Sequence, residues 1–140
     1  ADIDPTNKGL EMWSLGSKGI WGSQGKFISN PNHLSINMAC WWDGDLSREL
    51  LDQTSISKYN PTNKTIEIIF EARGCRSNNG TKATPCLQAD ILGDWREEIL
   101  FRTEDNHHLR LYVSTKNTPY RFHTFLEDRV YRINIASQNT

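Results

Sequence analysis

The residues best equipped for chemistry in this chain are carboxylates, and they come in three sets. Asp90, Asp94 and Glu98 stand at offsets zero, four and eight of a turn that runs into the apolar Ile99-Leu100. With Trp41 laid on Asp90, the acids Asp43, Asp45 and Glu49 fall at offsets two, four and eight. Asp2, Asp4 and Glu11 follow the same plan, with Thr6 at offset four and one extra residue before the glutamate. Carboxylates so spaced can wrap a hard cation such as Ca²⁺, the last acid arriving from the following strand. Plain turn chemistry is the alternative, with Asp and Gly as turn formers and Glu as a strand end. Three aligned copies favour the cation, held more weakly where Trp41 or Leu92 replaces an acid.

The elements that must position these turns are strands. Short runs rich in Ile, Phe, Tyr, Trp and Thr alternate with Gly, Pro, Asn and Asp, and no amphipathic helical pattern exceeds two turns, so the fold class is all-β. Strands are expected at 11–15, 19–21, 26–28, 35–42, 48–51, 55–59, 65–71, 86–92, 98–102, 109–114 and 120–125. Glu49 follows Glu11 by 38 residues and Glu98 follows Glu49 by 49, near the repeat of a four-stranded propeller blade. The division is about three antiparallel blades, 1–34, 35–72 and 86–126, with 130–136 as the first strand of a further blade. An irregular loop over 71–85 accounts for the longer second step. Three blades cannot close a ring, so the remaining blades are expected from flanking sequence.

Composition excludes several function classes. With 140 residues, a formal charge of -1 and no Lys/Arg cluster, the chain lacks the one-signed basic patch of a nucleic-acid or membrane-surface binder. No apolar run approaches the ~20 residues of a membrane span. There is no initiator Met or leader, and the abrupt ends read as cuts. Three cysteines allow at most one internal disulfide; Cys75 and Cys86 bracket the irregular loop and are the candidate pair, whereas Cys40 lies in an apolar strand pattern as a buried thiol. Trp41, Trp42 and Trp95 read as packing between blades, Arg48 and Arg96 as partners of neighbouring acids, and His107, His108 and His123 as surface residues without zinc-site spacing.

Several longer motifs occur in sequence order: Asp2-Ile-Asp-Pro with Gly9-Leu-Glu-Met-Trp13, Trp41-Trp-Asp-Gly-Asp-Leu46, Asn78-Asn-Gly-Thr-Lys82 with Thr84-Pro-Cys-Leu87, Gly93-Asp-Trp-Arg-Glu-Glu98, and Tyr131-Arg132 with Gln138-Asn139. In these the chain resembles the rhamnogalacturonan lyases of polysaccharide lyase family 11, over nearly its whole length. The resemblance implies the C-terminal part of an eight-bladed, Ca²⁺-using catalytic β-propeller, secreted, that cleaves the rhamnose-galacturonate backbone of pectin by β-elimination. That chemistry needs a base for the galacturonate C5 proton, a cation to neutralise its carboxylate and a proton donor for the departing O4. The family's Arg, Lys and Tyr carry these roles. Its Lys falls on Lys82, its Arg just before Ala1 and its Tyr just after Thr140, with Asn78, Asn79 and Thr81 as candidate sugar-hydroxyl partners. The other reading is a non-catalytic, Ca²⁺-stabilised propeller piece that binds a glycan or holds structure.

Overall fold

The computed structural model describes residues 1–138. Three antiparallel sheets follow one another along the chain. The first is a hairpin of β1 (Ile20–Trp21) and β2 (Phe27–Ser29), to which Met12 adds a single bridge at Trp21. A four-stranded meander comes next: β3 (Met38–Cys40), β4 (Glu49–Asp52), β5 (Ser55–Asn60) and β6 (Thr65–Glu71), paired in sequence order. The third sheet contains β7 (Cys75–Arg76), β8 (Leu87–Ala89), β9 (Glu98–Thr103) and β10 (Leu109–Tyr112). Strands thus dominate, as the alternating pattern of Ile66, Ile68 and Phe70 in β6 implies.

Strand β4 of the middle sheet is buried on both faces. Successive side chains of a strand point to opposite faces, and Leu50 and Leu51 show the consequence. Leu51 joins Cys40, Trp42, Ile56, Ile99 and Phe101 in a core against the third sheet. Leu50 joins Ile3, Ile20 and Tyr59 in a second core against the N-terminal segment. Each leucine is at most 1% exposed, a burial that contributes roughly 1.5–3 kcal/mol per side chain.

The third sheet departs from the expected four-stranded plan. Cys75 and Arg76 pair with Thr103 and Arg102, while Leu87, Gln88 and Ala89 pair with Leu100, Ile99 and Glu98. Hence β7 and β8 lie end to end along the same side of β9, two halves of one edge strand. The segment 77–86 leaves the sheet between them, so the expected irregular loop is a bulge from a strand edge, with β7 hidden inside it. No strand forms over 120–125; Tyr120 and Phe122 instead pack toward Trp95.

The expected strand at 130–136 is also corrected, to an α-helix, α1 (Arg129–Ala136). Asp128 caps its start by accepting a hydrogen bond from the Tyr131 N–H at 2.9 Å. Tyr131, Ile133 and Ile135 alternate as a strand would, yet Tyr131 and Ile135 are also one helical turn apart. Those two are the half-buried apolar positions, while Val130 and Ile133 remain exposed. Cys75 and Cys86 form no disulfide: Cys75 Sγ lies 3.3 Å from the Tyr112 hydroxyl, and Cys86 Sγ donates to Asn78 Oδ1 at 3.5 Å. Cys40 is fully buried, as its apolar surroundings imply.

Candidate functional site

The three acidic turns share one device. Glu11 Oε2 accepts from the backbone N–H groups of Ile3 (2.8 Å) and Asp4 (3.2 Å). Glu49 Oε2 does the same for Trp42 (2.8 Å) and Asp43 (3.3 Å), and Glu98 Oε2 for Ile91 (2.8 Å) and Leu92 (2.9 Å). Each glutamate is at most 2% exposed, so the strand-borne carboxylate pins its own turn in a place where water cannot compete. The alignment of the three sets therefore holds atom for atom. A second bond repeats as well. The Arg48 N–H donates to the Asp2 carbonyl at 2.6 Å, and one repeat later the Glu97 N–H donates to the Trp41 carbonyl at 2.7 Å.

The sets differ in what else their acids hold. Asp43, Asp45 and Glu49 present oxygens within 4.8 Å of one another, and among the described residues they are the one group of three His, Cys, Asp or Glu side chains to converge this way. The Lys58 ammonium lies among them, 2.6 Å from Asp43 Oδ2, 2.5 Å from Asp45 Oδ2 and 2.9 Å from Glu49 Oε1. Burial pushes the Glu49 carboxyl up to about 7 against the pull of Lys58. Burial would also raise Asp43, but its hydrogen bond and charge contact with Lys58 outweigh that and hold it low. Lys58, opposed by burial, is raised by the three carboxylates.

The other two sets do not converge. Asp2 is half-exposed, and Asp4 Oδ1 turns inward to Thr6, accepting from its N–H at 2.9 Å and its hydroxyl at 2.6 Å. Asp94 pairs with Arg96, as sequence suggested for that arginine. Asp90 is fully buried: its Oδ2 accepts from the Phe125 N–H at 2.8 Å, while Oδ1 has no hydrogen-bond partner. A carboxylate oxygen buried without a donor is what a bound cation would satisfy. At the third corner Asp90 Oδ1 is thus the oxygen that could meet a cation, while at the second the converging oxygens of Asp43, Asp45 and Glu49 share their corner with the Lys58 ammonium.

Beside Asp90 lies a polar network that the sequence did not single out. Glu97, 3% exposed, accepts from the Tyr131 hydroxyl (2.8 Å), the Gln88 side-chain amide (2.8 Å) and the Trp41 N–H (2.9 Å), with Arg48 Nη2 at 3.8 Å. Tyr131 also accepts from the Asp90 N–H at 2.9 Å, which docks α1 on the third corner. Burial, then the Glu97 charge, raises the Tyr131 phenol. Tyr131→Phe leaves the Asp90 N–H and one Glu97 oxygen without their partner, and should destabilise the protein by about 1–3 kcal/mol. Urea denaturation checks this; an unchanged midpoint would show that the hydroxyl contributes nothing. Lys58 and Tyr131 each sit within an otherwise ordinary strand-like alternation, so spacing gave no signal for them.

Lys82 and its neighbours occupy the bulge between β7 and β8. Asn78 ties the base of that loop, its N–H donating to the Thr84 carbonyl at 2.8 Å and its side chain to the Pro85 carbonyl at 3.1 Å. Asn79, Thr81 and Lys82 are exposed at the tip. Asn78, Asn79, Thr81 and Lys82, neighbours in sequence, share this one loop. The acidic corner of the same sheet is at the other end of β8.

A model of the C-terminal domain of rhamnogalacturonan lyase family 11 matches residues 1–140. The chain belongs to this lyase family. It is 48% identical over 139 residues to the rhamnogalacturonan endolyase YesW of Bacillus subtilis strain 168, covering 99% of this chain and 22% of that one. The rhamnogalacturonan exolyase YesX of the same organism is 44% identical, with 100% and 25% covered. Among solved structures, those of YesW and of a Bacillus licheniformis rhamnogalacturonan lyase each superpose with a TM-score of 0.91, at 46% and 48% identity, and cover 99% of this chain and 23% of theirs. The chain therefore spans about a quarter of the length of these relatives.

Proposed function

We propose that this chain is part of the catalytic β-propeller of a rhamnogalacturonan lyase, and that the whole protein cleaves the rhamnose-galacturonate backbone by β-elimination. The observation that carries the reading is a whole-chain match at 44–48% identity to two lyases of that polymer. The ring is supported by the repeating bond between corners, Asp2 carbonyl to Arg48 and Trp41 carbonyl to Glu97, because equal steps between layers are how blades close a circle. The missing blades come from the rest of the protein. In this reading the protein meets its polymeric substrate outside the cell and is secreted.

In this reading Lys82 takes the C5 proton of galacturonate or neutralises its carboxylate, and Asn79 and Thr81 meet sugar hydroxyls from the same loop tip. Asn78 positions the loop through its two bonds at the base. Incubating the intact protein with rhamnogalacturonan I and following ultraviolet absorbance of the unsaturated uronate tests the activity. No absorbance change from folded protein would end the lyase reading.

Ca²⁺ belongs to the same proposal, held at the third corner through Asp90, where it would supply fixed positive charge to a buried carboxylate. At the second corner Lys58 supplies that charge instead. A ligand at a hundredfold excess over its Kd adds about 2.7 kcal/mol of stability. Calcium should therefore raise the melting temperature by several degrees and chelator should reverse it. Asp90→Asn should abolish that response and Asp43→Asn should leave it in place; equal loss in both variants would refute the division of roles between the corners.

A further inference from the structure

At the acidic end of the third sheet, away from the Lys82 loop, lies an open cavity of about 430 Å³ between the Gly93–Arg96 turn and the segment 116–122. Its floor is Trp95, 2% exposed yet held at φ +71°, a left-handed conformation that is a true outlier for a bulky residue. Three contacts hold it there. Its indole N–H donates to the Tyr120 carbonyl at 3.3 Å, and Trp41 and Phe122 meet it edge-on at 5.9 and 5.3 Å. Above the floor Tyr120 and Phe122 stand nearly parallel, 11° apart, and remain 39% and 50% exposed.

The charged lining is mostly basic. Arg96, Lys116 and Arg121 face a single carboxylate, Asp94, which Arg96 already pairs. Arg96 also donates to the Lys116 carbonyl at 2.6 Å, fixing the segment's start, and its Nε is buried without a partner. The Lys116 ammonium approaches Asp43 Oδ2 at 3.6 Å, with its side chain 61% exposed. Exposed parallel aromatic rings offer the apolar faces that sugar rings pack against, and adjacent cations match carboxylates.

We infer that this cavity is an accessory subsite for a uronate-bearing oligosaccharide, with Tyr120 and Phe122 as the stacking platform and Lys116 and Arg121 as the carboxylate partners. The choice of an acidic glycan rests on the lyase reading together with this charge complementarity. Lying at the opposite end of β8 from Lys82, the subsite would hold a neighbouring stretch of polymer rather than the bond being cleaved.

The test uses the intact lyase in affinity electrophoresis through gels carrying polygalacturonate, with a neutral galactan as control. Polygalacturonate should retard the wild type in a salt-sensitive manner, and galactan should not. Tyr120→Ala combined with Arg121→Gln should weaken retardation about tenfold. It should also leave turnover of short rhamnogalacturonan oligosaccharides unchanged while raising KM on the long polymer. Both side chains are exposed and the Tyr120 carbonyl survives, so the melting temperature should hold. Equal retardation of variant and wild type, none of the wild type, or equal retention on galactan would overturn the subsite. Tyr120-dependent retention without unsaturated product would keep the subsite and remove the lyase reading; product formation with indifferent retention would do the reverse.

Discussion

Replacing Lys82 with Ala in the intact lyase should lower kcat by about 10²–10⁴-fold, the contribution of a well-placed acid, base or charge-neutralising group. The fold should not change. Lys82 sits exposed at the tip of a bulge, and the bonds that hold the bulge come from Asn78 to the carbonyls of Thr84 and Pro85. Melting curves of variant and wild type should therefore superpose while product formation collapses. Lys82→Arg separates the two possible roles, because arginine keeps the charge but cannot give up its proton. Substantial activity in the Arg variant assigns charge neutralisation, and loss as deep as in the Ala variant assigns the base. Near-normal turnover by Lys82→Ala would remove the residue from the mechanism.

Glu49→Ala is expected to be the most damaging single change to stability, at about 3–5 kcal/mol. Glu49 is fully buried and satisfies three donors at once: the N–H groups of Trp42 and Asp43 and the ammonium of Lys58. Truncation strands both amides in a dry corner and leaves Lys58 with two carboxylates in place of three. Leu50 and Leu51, the next residues on β4, feed the two cores, so loosening the corner loosens both sides of the middle sheet. Lys58→Met in the Glu49→Ala background should cost further stability, since it leaves Asp43 and Asp45 facing each other without a cation. Thermal unfolding followed by circular dichroism measures both. A Glu49→Ala variant melting within a degree or two of wild type would contradict the pinning role.

Much was legible from local pattern. The three acidic turns, their mutual alignment and the strands after the second and third were readable because a turn's chemistry and a strand's alternation are properties of neighbours in sequence, whereas the strand expected at 11–15 is only a single bridge at Met12. Thr65–Glu71 was located residue for residue for the same reason. The buried Cys40 and the pairing of Arg96 with Asp94 followed too. Motifs spread along the chain were enough to indicate the lyase family, and whole-chain comparison bears that out.

What sequence could not decide was who meets whom across the fold. The acids of the second corner converge as their spacing implied, but that Lys58, two strands on in the meander, reaches into the same corner was not visible in the sequence. The helix at Arg129–Ala136 wears a strand's alternation, and what sets its place is a phenol finding a buried glutamate 34 residues away. Tyr120 and Phe122 read as a strand, yet they close over Trp95 instead of joining the sheet. Of the two halves of the strand interrupted by the Lys82 loop, Leu87–Ala89 falls within the expected strand at 86–92 while Cys75–Arg76 is too short to announce itself, and only their common partner β9 reveals that they are one edge. The reason is the same in each case. Pattern within a segment fixes what that segment can become, whereas a buried charge or hydroxyl must find its partner wherever the packed chain brings one, and that partner can lie at any distance in sequence.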